Sequence, residues 1–377
     1  MRIAISARML KANPDDGISR FTYEVVKRIT RNNPSHEFVL IFDREFDRNL
    51  LFSKNTEGIV LKPAARHPLL WYYWHEWRLP AVLKKSGADL FLSPDGIISL
   101  NSAIPAISVI HDISFYHRPK DIPFQISSYY RYFFRKFAKK AARIITVSEF
   151  SKKDISSYLK IDESVIDVAY NGVSDYFTPV PVQESEEFIL RQTGGVPYFL
   201  FVGNFSPRKN IPAVIKAYNR FRASTLFNHK LVLTGGKLFL NHETEKLIRS
   251  SLFSSDIILT GTIRHENLRH LYSGSTALLF VPWFEGFGIP AAEAMRCGTP
   301  VILSNTTSLP EIGGNAAIFV KPDDINSISD AMEKVIYENN LRSSMIEKGI
   351  IESQKFTWDN CAQGVWNSIK MAAGITE

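Results

Sequence analysis

The sequence predicts an α/β protein with two Rossmann-like parallel-sheet domains that face each other across a cleft. Short apolar stretches typical of buried strands alternate with helical segments along the chain, which indicates parallel sheets covered by helices. The alternation is lost once, in residues 174–195, where prolines and acidic residues replace the apolar periodicity. A chain of 377 residues also exceeds the usual size of one hydrophobic core, so we expect two domains.

The predicted domains are residues 1–174 and 196–357, joined by a linker at 175–195 and followed by a helical segment at 358–377. In the first domain we predict strands at Arg2–Ala7, Glu37–Phe42, Asp89–Ser93, Ala106–Ile110, Arg143–Val147 and Ile166–Tyr170. In the second we predict strands at Tyr198–Val202, Lys230–Thr234, Ile257–Thr260, Ala277–Val281, Pro300–Leu303 and Ala317–Val320. Since ligands bind beyond the carboxyl ends of parallel strands, the residues after each strand are the candidates for function.

The composition narrows the class of protein. Apolar residues make up 45% and charged residues 22% of the chain, as in ordinary globular proteins. Cys297 and Cys361 are too few for a disulfide framework and favour a reducing compartment such as the cytoplasm. The N-terminal apolar stretch is too short for a signal peptide, and no stretch reaches the roughly 18 apolar residues of a membrane span. The net charge of +7 favours an anionic partner.

The loops after three strands of the first domain carry polar candidates. Asp15, Asp16 and Gly17 precede an amphipathic helix, and they fit either a helix cap or a glycine turn near a diphosphate or acceptor. His111 directly follows a predicted buried strand, so we expect a functional role rather than a structural one. Ser148, after the next strand, is predicted to be a helix cap.

Two segments of the first domain, residues 64–85 and 124–143, combine aromatic and basic side chains. The second contains five cations that form a candidate membrane or acceptor surface: Arg131, Arg135, Lys136, Lys139 and Lys140. Such helices lie on anionic membranes, although an aromatic core face beside a solvated basic face gives the same pattern. Nucleic-acid binding is not expected, because no recognisable module accompanies these charges.

The first loop of the second domain carries adjacent cations. Gly203 ends the strand, and NFSPRKNI then places Arg208 and Lys209 between strand and helix. Two neighbouring cations suit two phosphates, and an arginine can bind one of them bidentately. A solvated charge pair is the alternative. Gly235 ends the next strand, where the absence of a side chain permits a flat base to lie close to the backbone.

The stretch ALLFVPWFEGFGIPAAEAMRCGTPVILSN, residues 277–305, is the most informative in the chain. It predicts a buried strand, an acidic glycine loop, a short helix and a second strand. Glu285 lies in the loop and Glu293 in the first turn of the helix, eight positions later. The helix N-terminus between them favours a phosphate, and the two carboxylates suit hydroxyl groups. A nucleotide sugar has that distribution of charge and hydroxyls.

Several motifs of other enzyme classes are absent from the sequence. There is no Walker loop, zinc-type spacing, Gly-x-Ser-x-Gly elbow or metal-binding Asp-x-Asp. Residues 286–291 match the dinucleotide pattern G-x-G-x-x-A. Because residues 282–285 separate that pattern from its strand, a dehydrogenase is not expected.

Four motifs together resemble the family 4 retaining glycosyltransferases of the glycosyltransferase-B fold, over nearly the whole chain. They are FEGFGIPAAEAMRCGTPVILSN, VGNFSPRKNI, HDISF and VSEFSKKDI. HDISF with HRP and VSEFSKKDI is similar to bacterial mannosyltransferases and rhamnosyltransferases that build O-antigen or related polysaccharides. The resemblance also implies that the first domain binds the acceptor, that the second binds the nucleotide-sugar donor, and that the final helix crosses back onto the first domain. DDGISR departs from the family, which usually has a double-glycine turn there.

The resemblance implies a role for each site residue. Glu285 and His111 would contact the donor sugar, and Glu293 would hold the ribose. Arg208 and Lys209 would neutralise the diphosphate. The remaining donor-binding positions are backbone positions: Gly17, Gly203, Gly235, Ile263, Gly286, Phe287, Gly288 and Ile289.

The resemblance implies retaining transfer of a hexose, with mannose or rhamnose from a GDP-sugar as first choice, to a lipid-linked oligosaccharide in surface polysaccharide or O-antigen synthesis. The sequence predicts an enzyme that uses no cofactor and no metal. We expect it in the cytoplasm, in peripheral contact with the inner face of the membrane. Three alternatives stay open: a UDP- or dTDP-sugar donor, an epimerase or phosphorylase of similar fold, and a non-enzymatic membrane or nucleic-acid binding protein.

Overall fold

The protein consists of two compact α/β units, as seen in a computed structural model that describes residues 1–14, 16–65, 67–236 and 242–375. The first unit is Met1–Gly172 together with Thr357–Glu377, and the second is Val173–Phe356. Each unit has one sheet whose strand pairs are all parallel. The predicted fold class, with two parallel-sheet domains, is confirmed.

The strands form a seven-stranded sheet in the first unit and a six-stranded sheet in the second. The first sheet contains β1 Arg2–Ser6, β2 Glu37–Phe42, β3 Thr56–Val60, β4 Leu90–Ser93, β5 Ala106–Val109, β6 Arg143–Thr146 and β7 Ile166–Val168. The second contains β8 Tyr198–Val202, β9 Lys230–Thr234, β10 Ile257–Gly261, β11 Ala277–Phe280, β12 Val301–Ser304 and β13 Ala317–Val320.

Helices connect these strands. In the first half of the chain they are α1 Gly17–Asn32, α2 Pro68–Tyr73, α3 Leu79–Ser86, α4 Ser114–His117, α5 Phe124–Lys140 and α6 Glu149–Leu159. In the second half they are α7 Val182–Thr193, α8 Ile211–Ser224, α9 His242–Arg249, α10 His265–Gly274, α11 Ile289–Arg296, α12 Leu309–Gly313, α13 Ile325–Tyr337, α14 Asn339–Ser353 and α15 Trp358–Ala372. A π-helical turn, Trp74–Arg78, joins α2 to α3.

Both sheets reverse their direction of growth at one point. The first sheet has the order β3-β2-β1-β4-β5-β6-β7, and the second has the order β10-β9-β8-β11-β12-β13. The chain therefore turns to opposite sides after β1 and after β8, which opens a crevice beside β4 and β11 respectively. Such switch points, at the carboxyl ends of the strands, are where ligands of open α/β sheets bind.

Strand β3 was not predicted from the sequence. It pairs with β2 alone and forms the edge of the first sheet. Its residues are mostly half-buried, and Glu57 and Gly58 interrupt the apolar run. The apolar pattern that identifies central strands is therefore missing at this edge.

Residues 175–195, predicted to be a linker, contain helix α7 and belong to the second unit. Ser185, Ile189 and Thr193 lie on one face of α7, where Ser185 Oγ is 3.0 Å from His270 Nδ1 of α10. The glutamates that suggested a linker, at positions 184, 186 and 187, lie on the exposed face. The buried face of α7 is narrow, because its three positions are spaced four residues apart. The acidic residues between those positions therefore prevented recognition of the helix from the sequence.

Helix α15 packs against α1 within the first unit. Asp359 Oδ1 accepts a hydrogen bond from Arg28 Nε at 2.7 Å, and the ring of Trp366 lies 5.1 Å from that of His36. Gly172 closes this arrangement, because a Cβ there would lie 2.3 Å from the backbone nitrogen of Trp358.

Each unit contains one free, buried cysteine, Cys361 in the first and Cys297 in the second. Burial raises the pKa of both thiols above the ordinary value. Glu293 raises the pKa of Cys297 further. Both thiols are therefore protonated at neutral pH.

Two glycines bring the ends of β8 and β9 together. Gly203 and Gly235 have φ angles of 149° and 155°, which side chains rarely adopt. A Cβ on Gly235 would lie 1.8 Å from the carbonyl oxygen of Gly203. Gly235 is thus required for the close approach of the backbone segments that follow β8 and β9, at the carboxyl edge of the second sheet.

Gly235→Ala is expected to destabilise the second unit by about 2 kcal/mol or more, through strain and overpacking. Gly236→Ala is the matched control, because its Cβ would meet only Thr262 Oγ1 at 3.8 Å. Urea unfolding of both variants measures the difference. Equal midpoints for the two variants would contradict the role assigned to Gly235.

Candidate functional site

The candidate site of the second unit lies at the carboxyl ends of β8 and β11, which are neighbours at the switch point. The loop after β8 carries Arg208 and Lys209, and the loop after β11 carries Glu285. The backbone joins these loops, because Trp283 N donates to Arg208 O at 2.8 Å. The predicted convergence of these residues at one edge of the sheet is therefore seen within this unit.

Glu285 forms ion pairs with both cations. Its Oε1 lies 2.6 Å from Arg208 Nη1 and 2.6 Å from Lys209 Nζ. Arg208 Nη1 also donates to Phe284 O at 3.1 Å. The Glu285 and Lys209 side chains are 9% and 8% exposed, whereas that of Arg208 is 26% exposed. One carboxylate therefore fixes two cations, and the outer one still reaches solvent.

The charge balance of this triad favours an anion. Burial raises the pKa of the Glu285 carboxyl, but Arg208 and Lys209 together lower it further, so the pKa lies below the ordinary value. Glu285 is therefore ionised at neutral pH, and the triad has one net positive charge. Lys209 Nζ also lies 4.8 Å from the centre of the Phe280 ring, which holds the cation over an apolar surface.

Asn210 holds the cationic loop in place. Its backbone is left-handed, with φ of 59°, a conformation that asparagine tolerates better than most residues. Its side-chain Nδ2 donates to Val281 O at 3.0 Å and to Pro322 O at 2.7 Å. This buried amide links three loops at the carboxyl edge of the sheet. Sequence analysis did not single it out.

Ser308 holds the acidic glycine loop. Its buried hydroxyl lies 3.0 Å from Glu285 O and 2.9 Å from Phe287 O. Gly288, with φ of 103°, precedes the first residue of α11, Ile289. A Cβ on Gly288 would lie 2.5 Å from Leu309 Cδ2, so a side chain does not fit there. Gly286–Ile289 therefore bring backbone to the N-terminus of α11, as predicted.

Glu293 lies deeper than predicted. Helix α11 begins at Ile289, so Glu293 is past its first turn, where no acidic residue occurs. The prediction of a first-turn position was wrong because the helix begins one residue before Pro290. The carboxylate is buried, and its Oε2 accepts a hydrogen bond from Tyr272 Oη at 2.9 Å. Burial, with the neighbouring Glu293, raises the pKa of Tyr272, so its hydroxyl remains a donor.

The other predicted donor-binding positions follow neighbouring strands. Gly203 and Gly235 end β8 and β9. Ile263, after β10, is half-buried beside the exposed Thr262. All three lie at the carboxyl edge that carries the triad.

His111 lies at the carboxyl edge of the first unit's sheet. Its Nε2 is 2.9 Å from Pro94 O, so the neutral ring donates from Nε2 and leaves Nδ1 as acceptor. Its ring packs edge-on against Phe21 of α1, with centroids 4.9 Å apart. Burial is the largest effect on its pKa and lowers it below the ordinary value. At neutral pH His111 is an uncharged hydrogen-bonding group.

The loop before α1 forms a helix cap. Asp16 Oδ1 accepts from Ser19 N at 2.8 Å, and Oδ2 from Ser19 Oγ at 2.6 Å. Gly17 is the first residue of α1 and is exposed, so the cap does not prevent a ligand from reaching its backbone. Asp15 lies outside the described residues. Ser148 caps α6 as predicted, by accepting from Ser151 N at 3.0 Å.

A buried ion pair at the first sheet's switch point was not predicted. Arg8 follows β1, and its Nη1 lies 3.0 Å from Asp95 Oδ2 in the loop after β4. Their side chains are 8% and 10% exposed. The guanidinium also lies 5.9 and 5.8 Å from the ring centres of Trp71 and Trp74. Two single charges 87 positions apart give no sequence signal of pairing.

The aromatic and basic segments of the first unit are both core and surface. Trp74 and Phe137 are fully buried, as an aromatic core face requires. Trp77 and Tyr132 are 67% and 61% exposed. The five predicted surface cations, Arg131, Arg135, Lys136, Lys139 and Lys140, are all exposed on α5. The structure therefore shows an aromatic core face and a solvated basic face, and membrane contact stays a prediction.

Within the described ranges, no group of three or more acidic, histidine or cysteine residues is arranged to hold a metal ion. Over the same residues, no helix is both long enough and apolar enough to cross a membrane.

Comparisons with known proteins cover the chain from end to end. The family model "Glycosyltransferase Family 4" matches residues 16–176, and "Glycosyl transferases group 1" matches residues 182–351. O-antigen chain mannosyltransferase B of Escherichia coli is 26% identical, over 98% of this chain and 100% of its own. O-antigen chain mannosyltransferase RfbU of Salmonella typhimurium is 28% identical over 74% of each chain.

A solved structure has the same fold. The crystal structure of Anabaena HepE with UDP-glucose covers 98% of this chain and 100% of its own, at a TM-score of 0.77 and 15% identity. The family models match segments of both units. The chain is a family 4 glycosyltransferase of the glycosyltransferase-B fold.

Proposed function

We propose that this glycosyltransferase transfers mannose or rhamnose from a GDP-sugar to a lipid-linked glycan, with retention of configuration, during synthesis of O-antigen or a related surface polysaccharide. The observation that carries the proposal is Glu285 paired with Arg208 and Lys209 at the switch point of the second sheet. Two relatives with O-antigen mannosyltransferase names support the choice of mannose. The proposed place of action is the cytoplasmic face of the membrane.

In the proposed complex the donor diphosphate lies against Arg208, Lys209 and the N-terminus of α11. These groups offset the charge that develops on the leaving nucleoside diphosphate, so the reaction proceeds without a metal ion or other cofactor. The two cations are already fixed by Glu285, so little reorganisation accompanies the reaction. Preorganised charge of this kind is often the largest contribution to catalysis.

The hydroxyl groups of the donor donate hydrogen bonds to two carboxylates and one neutral imidazole. Glu285 accepts from sugar hydroxyls with the lone pairs that the cations leave free, and Glu293 accepts from the ribose. His111, neutral at pH 7, contacts the sugar through Nδ1. Neither glutamate transfers a proton in this scheme, which agrees with the lowered pKa of Glu285. The acceptor hydroxyl attacks from the face that the diphosphate leaves, the bond from the sugar to the diphosphate breaks, and the hydroxyl proton passes to the departing phosphate oxygen.

A donor panel tests the proposed activity. The protein is incubated with GDP-, UDP- and dTDP-sugars and a polyprenyl-diphosphate glycan, and the masses of the products are measured by mass spectrometry. We expect one added hexose from GDP-mannose or GDP-rhamnose. Transfer from UDP- or dTDP-sugars alone would overturn the choice of a GDP-sugar as donor. Hydrolysis of the donor without transfer would overturn the choice of a lipid-linked glycan as acceptor.

Arg208→Ala is expected to weaken binding of nucleoside diphosphate about tenfold to a hundredfold, because a charge-assisted contact with phosphate is lost. Calorimetric titration measures the affinity. Arg220→Ala removes a half-exposed arginine of the same unit, whose ion pair with Asp330 spans 3.6 Å, and is the matched control. Similar affinities in the two variants would count against the proposed diphosphate site.

Glu293→Gln tests the ribose contact separately. The amide oxygen still accepts from Tyr272, so the fold is retained while the negative charge is removed. We expect about tenfold weaker binding of nucleoside diphosphate, and unchanged binding of inorganic diphosphate. Tyr272→Phe is the control, since it leaves the carboxylate in place. If inorganic diphosphate is affected equally, Glu293 does not act through ribose.

We also propose that α5 and the segment that contains α2 contact an anionic membrane surface. Tyr72 of α2 lies 5.7 Å from Phe133 of α5, ring centre to ring centre, so the two segments are adjacent. Tyr72 and Tyr132 are 44% and 61% exposed, and Lys136 Nζ lies 3.8 Å from the ring centre of Tyr132. Exposed aromatic rings beside cations suit the interface between lipid head groups and acyl chains.

Replacing Arg135, Lys136 and Lys139 together with alanine is expected to reduce binding to anionic vesicles by at least tenfold, because each surface cation contributes about 1 kcal/mol. Sedimentation with vesicles of phosphatidylglycerol and phosphatidylcholine measures binding.

The control for this triple variant removes three exposed cations of the second unit, Lys246, Arg249 and Lys348. Equal losses in the two triple variants would indicate a nonspecific effect of net charge, and would remove the support for a membrane surface on α5.

A further inference from the structure

The first unit has an open cavity of about 580 Å³ at the carboxyl edge of its sheet. Asp43 and Arg44 directly follow β2, and Lys62 and Pro63 follow β3. Tyr73 and Arg78, from α2 and the π-helical turn, line the cavity from the helical side. It therefore lies at the edge where ligands of parallel sheets bind, but beside strands that carry none of the predicted site residues.

The negative charge nearest the sheet is already neutralised. Asp43 is 1% exposed, and its carboxylate forms a two-point ion pair with Arg44, at 2.7 Å to Nε and 3.0 Å to Nη2. Its Oδ2 also accepts from Ala65 N at 3.2 Å. These contacts hold the Arg44 guanidinium against the cavity wall, where its remaining N–H groups can donate to a ligand.

Two further cations are available to an anion. Lys62 pairs with Glu45 across 3.6 Å, and both side chains are more than 70% exposed, so this pair contributes little stability. Arg78 is exposed. Its side chain forms no hydrogen bond or ion pair with the residues that the structure describes. A phosphate entering the cavity would meet both cations at little cost in broken contacts.

The cavity also suits a sugar. Tyr73, an aromatic residue that is 43% exposed, lines the cavity, and Pro63 adds an apolar surface to the same lining. Aromatic rings stack on the apolar faces of pyranose sugars, while arginine binds the adjoining phosphate bidentately. In sequence, Tyr73 immediately follows Tyr72, which lies on the surface proposed above to contact the membrane.

From these contacts we propose that the cavity binds the diphosphate and first sugar of the lipid-linked acceptor. The inference deepens the proposed function and rests on it. Arg44, Lys62 and Arg78 bind the diphosphate, Tyr73 stacks on the sugar, and the lipid leaves toward the exposed aromatic residues of the same helical segment. The donor diphosphate has its own cations in the second unit, so the two anions do not compete.

Kinetics on the full-length protein test this site. In the variant that combines Lys62→Ala with Arg78→Ala, the acceptor KM is expected to rise about tenfold with a polyprenyl-diphosphate glycan, because two charge-assisted contacts are lost. The KM for the donor and kcat are expected to stay within about twofold. With the same glycan on a neutral alkyl chain, the variant and the wild type should behave alike.

Arg48→Ala is the matched control, since Arg48 is an exposed arginine of the same unit that does not line the cavity. An unchanged acceptor KM in the double variant, or an equal rise with both acceptors, would overturn the diphosphate site. Tyr73→Ala should raise KM for both acceptors, because stacking does not depend on phosphate.

A binding measurement separates this inference from the proposed transfer reaction. Geranyl diphosphate is titrated into the wild type and the double variant with saturating nucleoside diphosphate, which occupies the donor site. Binding to the wild type that is lost in the double variant supports the cavity even if no donor is transferred. Equal binding to both proteins overturns it. Inorganic diphosphate that binds as tightly as the prenyl compound would assign the cavity to free phosphate and overturn the acceptor role.

Discussion

The donor half of this protein depends on one buried carboxylate that is shared by two cations. Without Glu285, Arg208 and Lys209 would repel each other at the end of a buried strand, and the side chain of Lys209, which is 8% exposed, would lose its ion pair with this carboxylate. With it, the three groups form a net cationic centre that is held together by ion pairs before any ligand binds. The surrounding polar residues, Asn210 and Ser308, hold the two loops that carry this centre.

The same arrangement explains why the site lies at a switch point. Strands β8 and β11 are neighbours in space, yet Arg208 and Phe284 in their loops are 76 positions apart in the chain. Parallel neighbours bring both loops to one edge, and the opposite directions of chain growth leave room between their helices. The first unit repeats this geometry with Arg8 and Asp95, whose side chains are 8% and 10% exposed. Similar topology thus supports a buried ion pair in both units, and in the second unit Arg208 adds a cation that is 26% exposed.

Much of the fold and of the second unit's site could be predicted from the sequence, because both depend on local patterns. Apolar runs predicted the central strands, and the segment from Glu285 to Glu293 predicted a glycine loop and a helix N-terminus. The pattern failed where burial is partial, at β3 and α7, since half-buried elements have no continuous apolar signal. It also failed for partners distant in the chain. Nothing in the sequence indicates that Arg8 pairs with Asp95, or that Ser308 holds the carbonyl groups of the glycine loop.

The two buried cysteines have a practical consequence for study of this protein. Each unit contains one thiol, and each thiol is protonated and shielded from solvent in the folded state. Alkylating reagents therefore modify Cys361 only when the first unit opens, and Cys297 only when the second does. The native chain thus has a separate chemical reporter of local unfolding in each half, without any engineered label. Ligands that stabilise one unit would slow the labelling of its own cysteine, so the rates identify which half a ligand protects.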